Sequence, residues 1–186
     1  MNASFNGKIN FNSNDVNNLL NPNFAFVGVH WRNEIKQDFV NKMPEFYNCG
    51  IWENGYGRDK DNLNTYIDLI KRGDILMVKR LNGKGQETMK VLAMGIVVGF
   101  PLLYNVERTM AYVAWTLPNL DLDIPLKLVG TMNKPVTLKI IESWISNTSE
   151  DANVRAYQEL FRLANLATAR FITQNMQPIT HTLYQS

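Results

Sequence analysis

One cysteine and two histidines are all that 186 residues offer for thiolate or imidazole chemistry. A lone Cys49 excludes an internal disulfide framework and any cysteine-based zinc cluster, and it fits a reducing, cytoplasmic setting. His30 lies in an apolar, alternating stretch and His181 near the end of the sequence. Neither has the neighbours that a catalytic or metal-binding histidine needs. Cys49 and His30 would form a nucleophile pair only with a third, orienting group, and none is readable. No HExxH, GxSxG or phosphate-loop pattern occurs. The segment "GYGRDKDN" has Asp59 and Asp61 but lacks the ligand spacing and terminal glutamate of a calcium loop. The chain is therefore expected to be non-catalytic, with no metal and no cofactor.

Long apolar runs are missing too. The longest, "VLAMGIVVGFPLLY", is interrupted by Gly95, Gly99 and Pro101, which suits a buried strand and turn better than a membrane span. The first twenty residues are rich in asparagine and lack the apolar core of a secretion signal. No repeat period is visible. The formal charge is +2, which permits a nucleic-acid partner without arguing for one.

What is present is periodicity. Residues 1–23 read as an Asn-rich lead-in, mobile or draped over the body. "FAFVGVHW" (24–31) alternates and reads as a strand. Ile35, Phe39 and Met43, spaced by four, predict a short helix ending before Pro44. Residues 46–62 read as a long irregular segment punctuated by Gly50, Gly55 and Gly57. Leu63, Tyr66, Ile67 and Ile70 predict a helix capped by Gly73. "DILMVKRL", "TMKVLAMGIVVGF" and "TMAYVAWTL" read as strands, the first two joined by a hairpin turn at "NGKGQ". A short strand is expected at 126–129 and a helix at 137–145. A longer helix carries Val154, Tyr157, Leu160, Phe161, Ala164, Ala167 and Phe171 in one stripe. The fold class is α+β: a small, curled, partly closed barrel with crossover helices and a C-terminal helical extension. The expected divisions are a lead-in (1–23), a barrel domain (24–130) and a helical extension (131–186).

Two groups of residues are candidates for function. Trp52 and Tyr56 sit among Glu53, Asn54 and two glycines, where loops carry binding sites. Two ring faces would sandwich a planar ligand, and Asn54 or Glu53 would read its hydrogen-bonding edge. The alternative is that Trp52 plugs the end of the barrel. For Trp115, on an alternating strand, core packing is the favoured reading. The second group is basic: Lys71, Arg72, Lys79, Arg80 and Lys84, with Lys90 nearby. They form either a phosphate-tracking surface or an ordinary solvated hairpin face.

The order "GIWENGY", a helix ending "IKRGDILMVKR", then "VLAMGIVVG" and "AYVAW" resembles the PUA-like superfamily. It is most similar to EVE-type modules and to N-terminal modules of modification-dependent restriction systems, which are defence-related. The shared steps are Arg72-Gly73-Asp74 leading into a strand and Ala93-Met94-Gly95-Ile96-Val97 closing one, over roughly residues 24–117. Gly73 suits a helix-to-strand step, Asp74 suits local backbone hydrogen bonds, and Gly95 suits a bulge or close approach. The resemblance implies a reader of nucleic acid that holds a modified or flipped base in an aromatic pocket. It would make Trp52, Tyr56 and Trp31 pocket residues. It gives no role to the helical extension, which would cap the barrel, form a homodimer or dock a partner protein.

The expected function is thus nucleic-acid binding, DNA or RNA, without catalysis. Two alternatives stand beside it: a sensor or sponge for a nucleotide-like small molecule, and an assembly module built on the C-terminal helices. No membrane role is expected.

Overall fold

The computed structural model describes residues 9–32, 39–54, 69–81, 87–101, 110–125, 135–136, 142–143, 146 and 151–176. In chain order the elements are α1 (Ser13–Leu20), β1 (Phe24–Gly28), β2 (His30–Arg32), β3 (Phe39–Asn41), α2 (Met43–Cys49), β4 (Ile51–Glu53), β5 (Ile75–Leu81), β6 (Thr88–Gly99), β7 (Met110–Leu117), β8 (Leu122–Pro125), β9 (Pro135–Val136) and a last helix, here α3 (Asp151–Asn175).

Seven strands make one mixed sheet in the order β4-β7-β6-β5-β1-β9, with β8 also paired to β6. Among the described strand pairs only β1 and β5 run parallel. The twelve-residue β6 is the spine. Its second half pairs with β7 and its first half with β8. β7 and β8 therefore act as one interrupted strand along the same edge. The Leu120 amide bridges the interruption by donating to the Leu92 carbonyl at 2.7 Å.

The sheet curls into a half-barrel, and one hydrogen bond shows how far. The Trp52 indole Nε1, on β4, donates to the Gly28 carbonyl, on β1, at 3.0 Å. Three strands lie between β4 and β1 in the sheet order. At about 4.8 Å per neighbour, a flat sheet would hold them roughly 19 Å apart, beyond any indole's reach. The sequence permits this curl because the inner face is narrow. Ala25, Ala93 and Ala111 leave room there for Trp52, Phe46 and Met43. Bulges in β6 at Met94/Gly95 and Val97/Gly99 sharpen the bend. Gly95 is required at the first. A Cβ there would meet Val113 Cγ1 at 2.5 Å and Trp115 Cε3 at 2.8 Å.

Alternation sends the other set of side chains outward. Phe24, Phe26, Ile75, Met77, Met94 and Ile96 form a second core beneath α3. The predicted stripe of α3 supplies its cover: Tyr157, Leu160, Ala164, Ala167 and Phe171 are buried against the sheet. That apolar face is occupied by the chain's own sheet. Tyr157 also donates its hydroxyl to the Pro125 carbonyl at 3.3 Å, and burial pushes its phenol up to about 12. Among the described residues no helix is long and apolar enough to cross a membrane.

Several local expectations are corrected. The lead-in contains α1, because Asn12 and Asp15 form a reciprocal capping box and start a helix. The helix expected to end before Pro44 is not formed at its described residues, and Ile35 lies outside them. Phe39–Asn41 is instead a strand paired with β2, and the helix begins at Met43 with Pro44 in its first turn. A proline there sacrifices no intrahelical bond and has a pre-set φ, so it starts helices as readily as it stops them. The first part of the segment read as irregular, 46–53, is regular structure, and 55–62 lie outside the described residues. Gly50, at φ 63°, caps α2 and turns the chain directly into β4. A strand lies at 122–125, while the one expected at 126–129 falls outside the described residues. Most of the helix expected from Leu63 and the hairpin turn at 82–86 also fall outside them.

One buried hydroxyl has no evident use. Thr116 Oγ1 has no hydrogen-bond partner among the described residues. Thr116→Val should therefore be neutral or stabilising by up to about 1 kcal/mol in a denaturant melt. A loss larger than that would show that the hydroxyl is bonded.

Candidate ligand site at the seam of the half-barrel

The seam is where β4 returns to the end of β1. β1 ends at Gly28, and the chain continues into β2, so the backbone of His30, Trp31 and Arg32 adjoins it. The Lys42 amide donates to the Val29 carbonyl at 2.8 Å, which anchors the start of α2 at the same place. From the other side come Glu53 and Asn54, one and two residues beyond Trp52. One side-chain bond thus ties β4, which carries Trp52, to the end of β1, from which the chain runs on to Trp31.

Trp52 itself is entirely buried, packed with Val27, Val29, Phe46 and Val113. Its N–H is satisfied and neither ring face is accessible, so it plugs the barrel. Asn54 is buried and Glu53 half-buried. Trp31 is placed in β2 by its pairing with Val40. Tyr56 lies outside the described residues. Trp115 is half-buried against the inner core, and its Nε1 donates to the Phe46 carbonyl at 3.0 Å.

The described basic residues do not make one surface. Lys71 and Arg72 precede β5, whereas Lys79 and Arg80 lie at its far end, roughly 20 Å away along an extended strand. Arg72 is a structural clamp. Its Nε donates to the Val98 carbonyl at 2.9 Å and its Nη2 to the Asn10 carbonyl at 2.7 Å. Its Nη1 pairs with Asp15 at 2.8 Å, and its guanidinium lies over the Phe11 ring. Lys79 is buried, and desolvation lowers its ammonium to about 8. Lys90 pairs with Asp121 and Asp123. Lys71 and Arg80 are exposed, and Lys84 lies outside the described residues.

The turn before β5 holds α1 in place. Asp74 is fully buried, and its Oδ1 accepts from Asn18 Nδ2 (3.0 Å), the Asn23 amide (3.1 Å) and Asn23 Nδ2 (3.2 Å). Its Oδ2 accepts from the Lys71 amide at 2.7 Å. Burial raises its carboxyl above the ordinary value, and the four donors pull the other way. Gly73, at φ 90°, lets α1 approach closely, since a Cβ would meet the Leu19 amide nitrogen at 2.8 Å and the Asp15 carbonyl at 2.9 Å. The local bond from Lys71 to Asp74 is the kind the sequence suggests. The partners Asn18 and Asn23, more than fifty residues away, carry no such signal. A polar hollow of about 580 Å³ lies here, lined by Asn14, Asp15, Asn17, Asn18, Asn21, Lys71 and Arg72. Asp15, Asn18 and Arg72 use their polar groups on one another and on the backbone, so the hollow reads as part of the α1 dock.

Among the described residues no cluster of His, Cys, Asp or Glu could hold a metal. Comparison with known proteins finds no matching family model, no matching curated protein and no matching solved structure.

Proposed function

We propose that this chain is a non-catalytic nucleic-acid-binding module that holds a single base at the seam of its half-barrel. The observation that supports this reading is the Trp52–Gly28 bond, which ties the strand leading into Glu53 and Asn54 to the end of the strand that precedes Trp31. In this reading Trp31 stacks on the base, and Tyr56, which lies outside the described residues, is the second stacking candidate. Glu53 or Asn54 reads the base edge, and Trp52 is the buried post that positions both sides. Stacking of this kind contributes about 1–3 kcal/mol per base. The PUA-like, EVE-type affiliation and a cytoplasmic setting belong to the same proposal. It rests on the motif order and on a curled, mixed sheet of the expected class.

The distribution of positive charge favours a second form of the reading, a nucleotide-like small ligand in the same seam. Arg72 and Lys79 are taken into the fold, which leaves Arg80 as the exposed described cation at the end of β5 nearest Gly28. A long backbone track is then not needed.

Fluorescence anisotropy of labelled short oligonucleotides, single- and double-stranded, plain and base-modified, tests the proposal. The expected result is saturable binding that Trp31→Ala weakens at least tenfold without changing the melting temperature. The logarithmic salt slope should be no steeper than about −2, as one or two phosphate contacts give. A flat response across the panel, matched by saturable binding of free nucleotides, would move the assignment to the small-ligand form. No binding of either kind, or binding that Trp31→Ala leaves unchanged, would overturn the seam as the site.

A further inference from the structure

Three glycines within the sheet or beside it can be compared for the reason each is a glycine. Gly73 has a left-handed φ and backbone packed against it. Gly95 has Val113 and Trp115 where a Cβ would stand. Gly28 has neither reason. Its φ is not left-handed, and a Cβ built on it meets no described residue within 4 Å. It is the exposed residue of an otherwise buried strand. Any β-branched residue would form a better strand there. An otherwise unexplained strand glycine marks a bulge, a tight bend or a place where a ligand or another backbone comes close, and the exposure of Gly28 suits the last of these.

The surroundings say what would fit. Gly28 pairs in register with Lys79, and the preceding pairs, Phe24 with Ile75 and Phe26 with Met77, place alternate residues on the α3 side of the sheet. The bare Cα of Gly28 therefore faces that side next to the stem of Lys79. Its carbonyl is held from the other side by Trp52, which fixes the peptide plane. The result is a small exposed patch of backbone at Gly28, flanked by buried Val27, Val29 and Lys79 and followed directly by the Trp31 strand. A flat ring lies on such a patch with full contact, and any side chain at 28 would lift it off.

We infer that Gly28 is the contact floor on which the planar base of the bound nucleic acid rests, an assignment that builds on the seam reading above. It adds a specificity: flat heteroaromatic rings bind, and ring-saturated analogues do not.

The test uses the full chain with Gly28→Val and Gly28→Ala against the same labelled oligonucleotides, with a dihydrouracil-substituted oligonucleotide as the non-planar probe. Both variants should melt with the wild type, because Gly28 is exposed and an added Cβ meets no described residue. Gly28→Val should weaken binding at least tenfold, Gly28→Ala less, and the non-planar probe should bind at least tenfold more weakly than its uracil counterpart. Wild-type binding that Gly28→Val leaves within twofold overturns this inference and leaves the seam reading standing. Wild-type binding to no oligonucleotide overturns both. Unfolding of both variants overturns it as well, since the glycine would then have an internal reason.

Discussion

Trp52→Ala should unfold the chain or lower its stability by about 3–5 kcal/mol, the range for emptying a large buried aromatic site. Two losses combine. The inner core loses its largest side chain, with no neighbour free to collapse into the gap, because Ala25, Ala93 and Ala111 are short. The seam also loses its only described side-chain bond between β4 and β1, and the Gly28 carbonyl loses its indole donor. Trp52→Phe keeps part of the ring volume while removing the N–H and one ring of the bicycle, so it should cost less, about 2–3 kcal/mol. Chemical denaturation monitored by far-ultraviolet circular dichroism separates the two. Equal losses for Ala and Phe would mean that the bond, and not the packing, dominates. No loss for either would mean that the half-barrel does not depend on its plug. The same logic makes Trp52→Ala a poor probe of binding, which is why the binding tests use Trp31 and Gly28.

Asp74→Ala should destabilise by about 3 kcal/mol, since four donors aimed at the carboxylate each lose a bond worth about 1 kcal/mol net, with some recovered by water. The loss should appear first in α1, which Asn18 and Asn23 tie to the turn. Amide exchange in Ser13–Leu20 should accelerate before exchange in β5 or β6 does. Asp74→Asn keeps an oxygen for Oδ1's three donors and presents an amide to the Lys71 N–H, so its penalty is smaller. The pH dependence has a definite sign. Burial holds the folded carboxyl above its ordinary 3.8, so folding favours the protonated form. That contribution is fully present below the ordinary value and is lost as pH rises through the raised one. The penalty of Asp74→Ala should therefore be larger near pH 4 than at pH 7. A penalty that grows toward neutrality would show that the four donors outweigh desolvation.

Much of the sheet was legible because its signals are local. β5, β6 and β7 announce themselves by alternation and β-branched content, and Gly95 by interrupting an otherwise apolar strand. The stripe of α3 was readable for the same reason. Elements whose identity depends on partners far away in sequence were not. Phe39 fits a helical spacing with Ile35 and Met43 as well as it fits a strand, and pairing with β2 decides the matter. Asn12 looks like part of a featureless asparagine run until Asp15 completes the cap. The candidate site shows the same division. The sequence marks Trp52 as unusual, and it is, but as the plug and not as an open ring face. Arg72 and Lys79 look like surface cations because their sequence neighbours are polar or basic. Asn10, Asp15 and Val98 claim the first, and burial at the end of β5 claims the second. Gly28 drew no notice at all, since its interest lies in the absence of anything around it.

The most direct test of the seam as the binding site is a two-dimensional 1H–15N spectrum of the labelled chain, titrated with a short single-stranded oligonucleotide. The amides of Gly28, Trp31 and Glu53 should shift together and saturably, while the Trp52 indole N–H stays slow to exchange throughout. Shifts confined to Asn14–Asn21 and Lys71, with the seam amides unmoved, would contradict the account and place the site in the polar hollow beside α1.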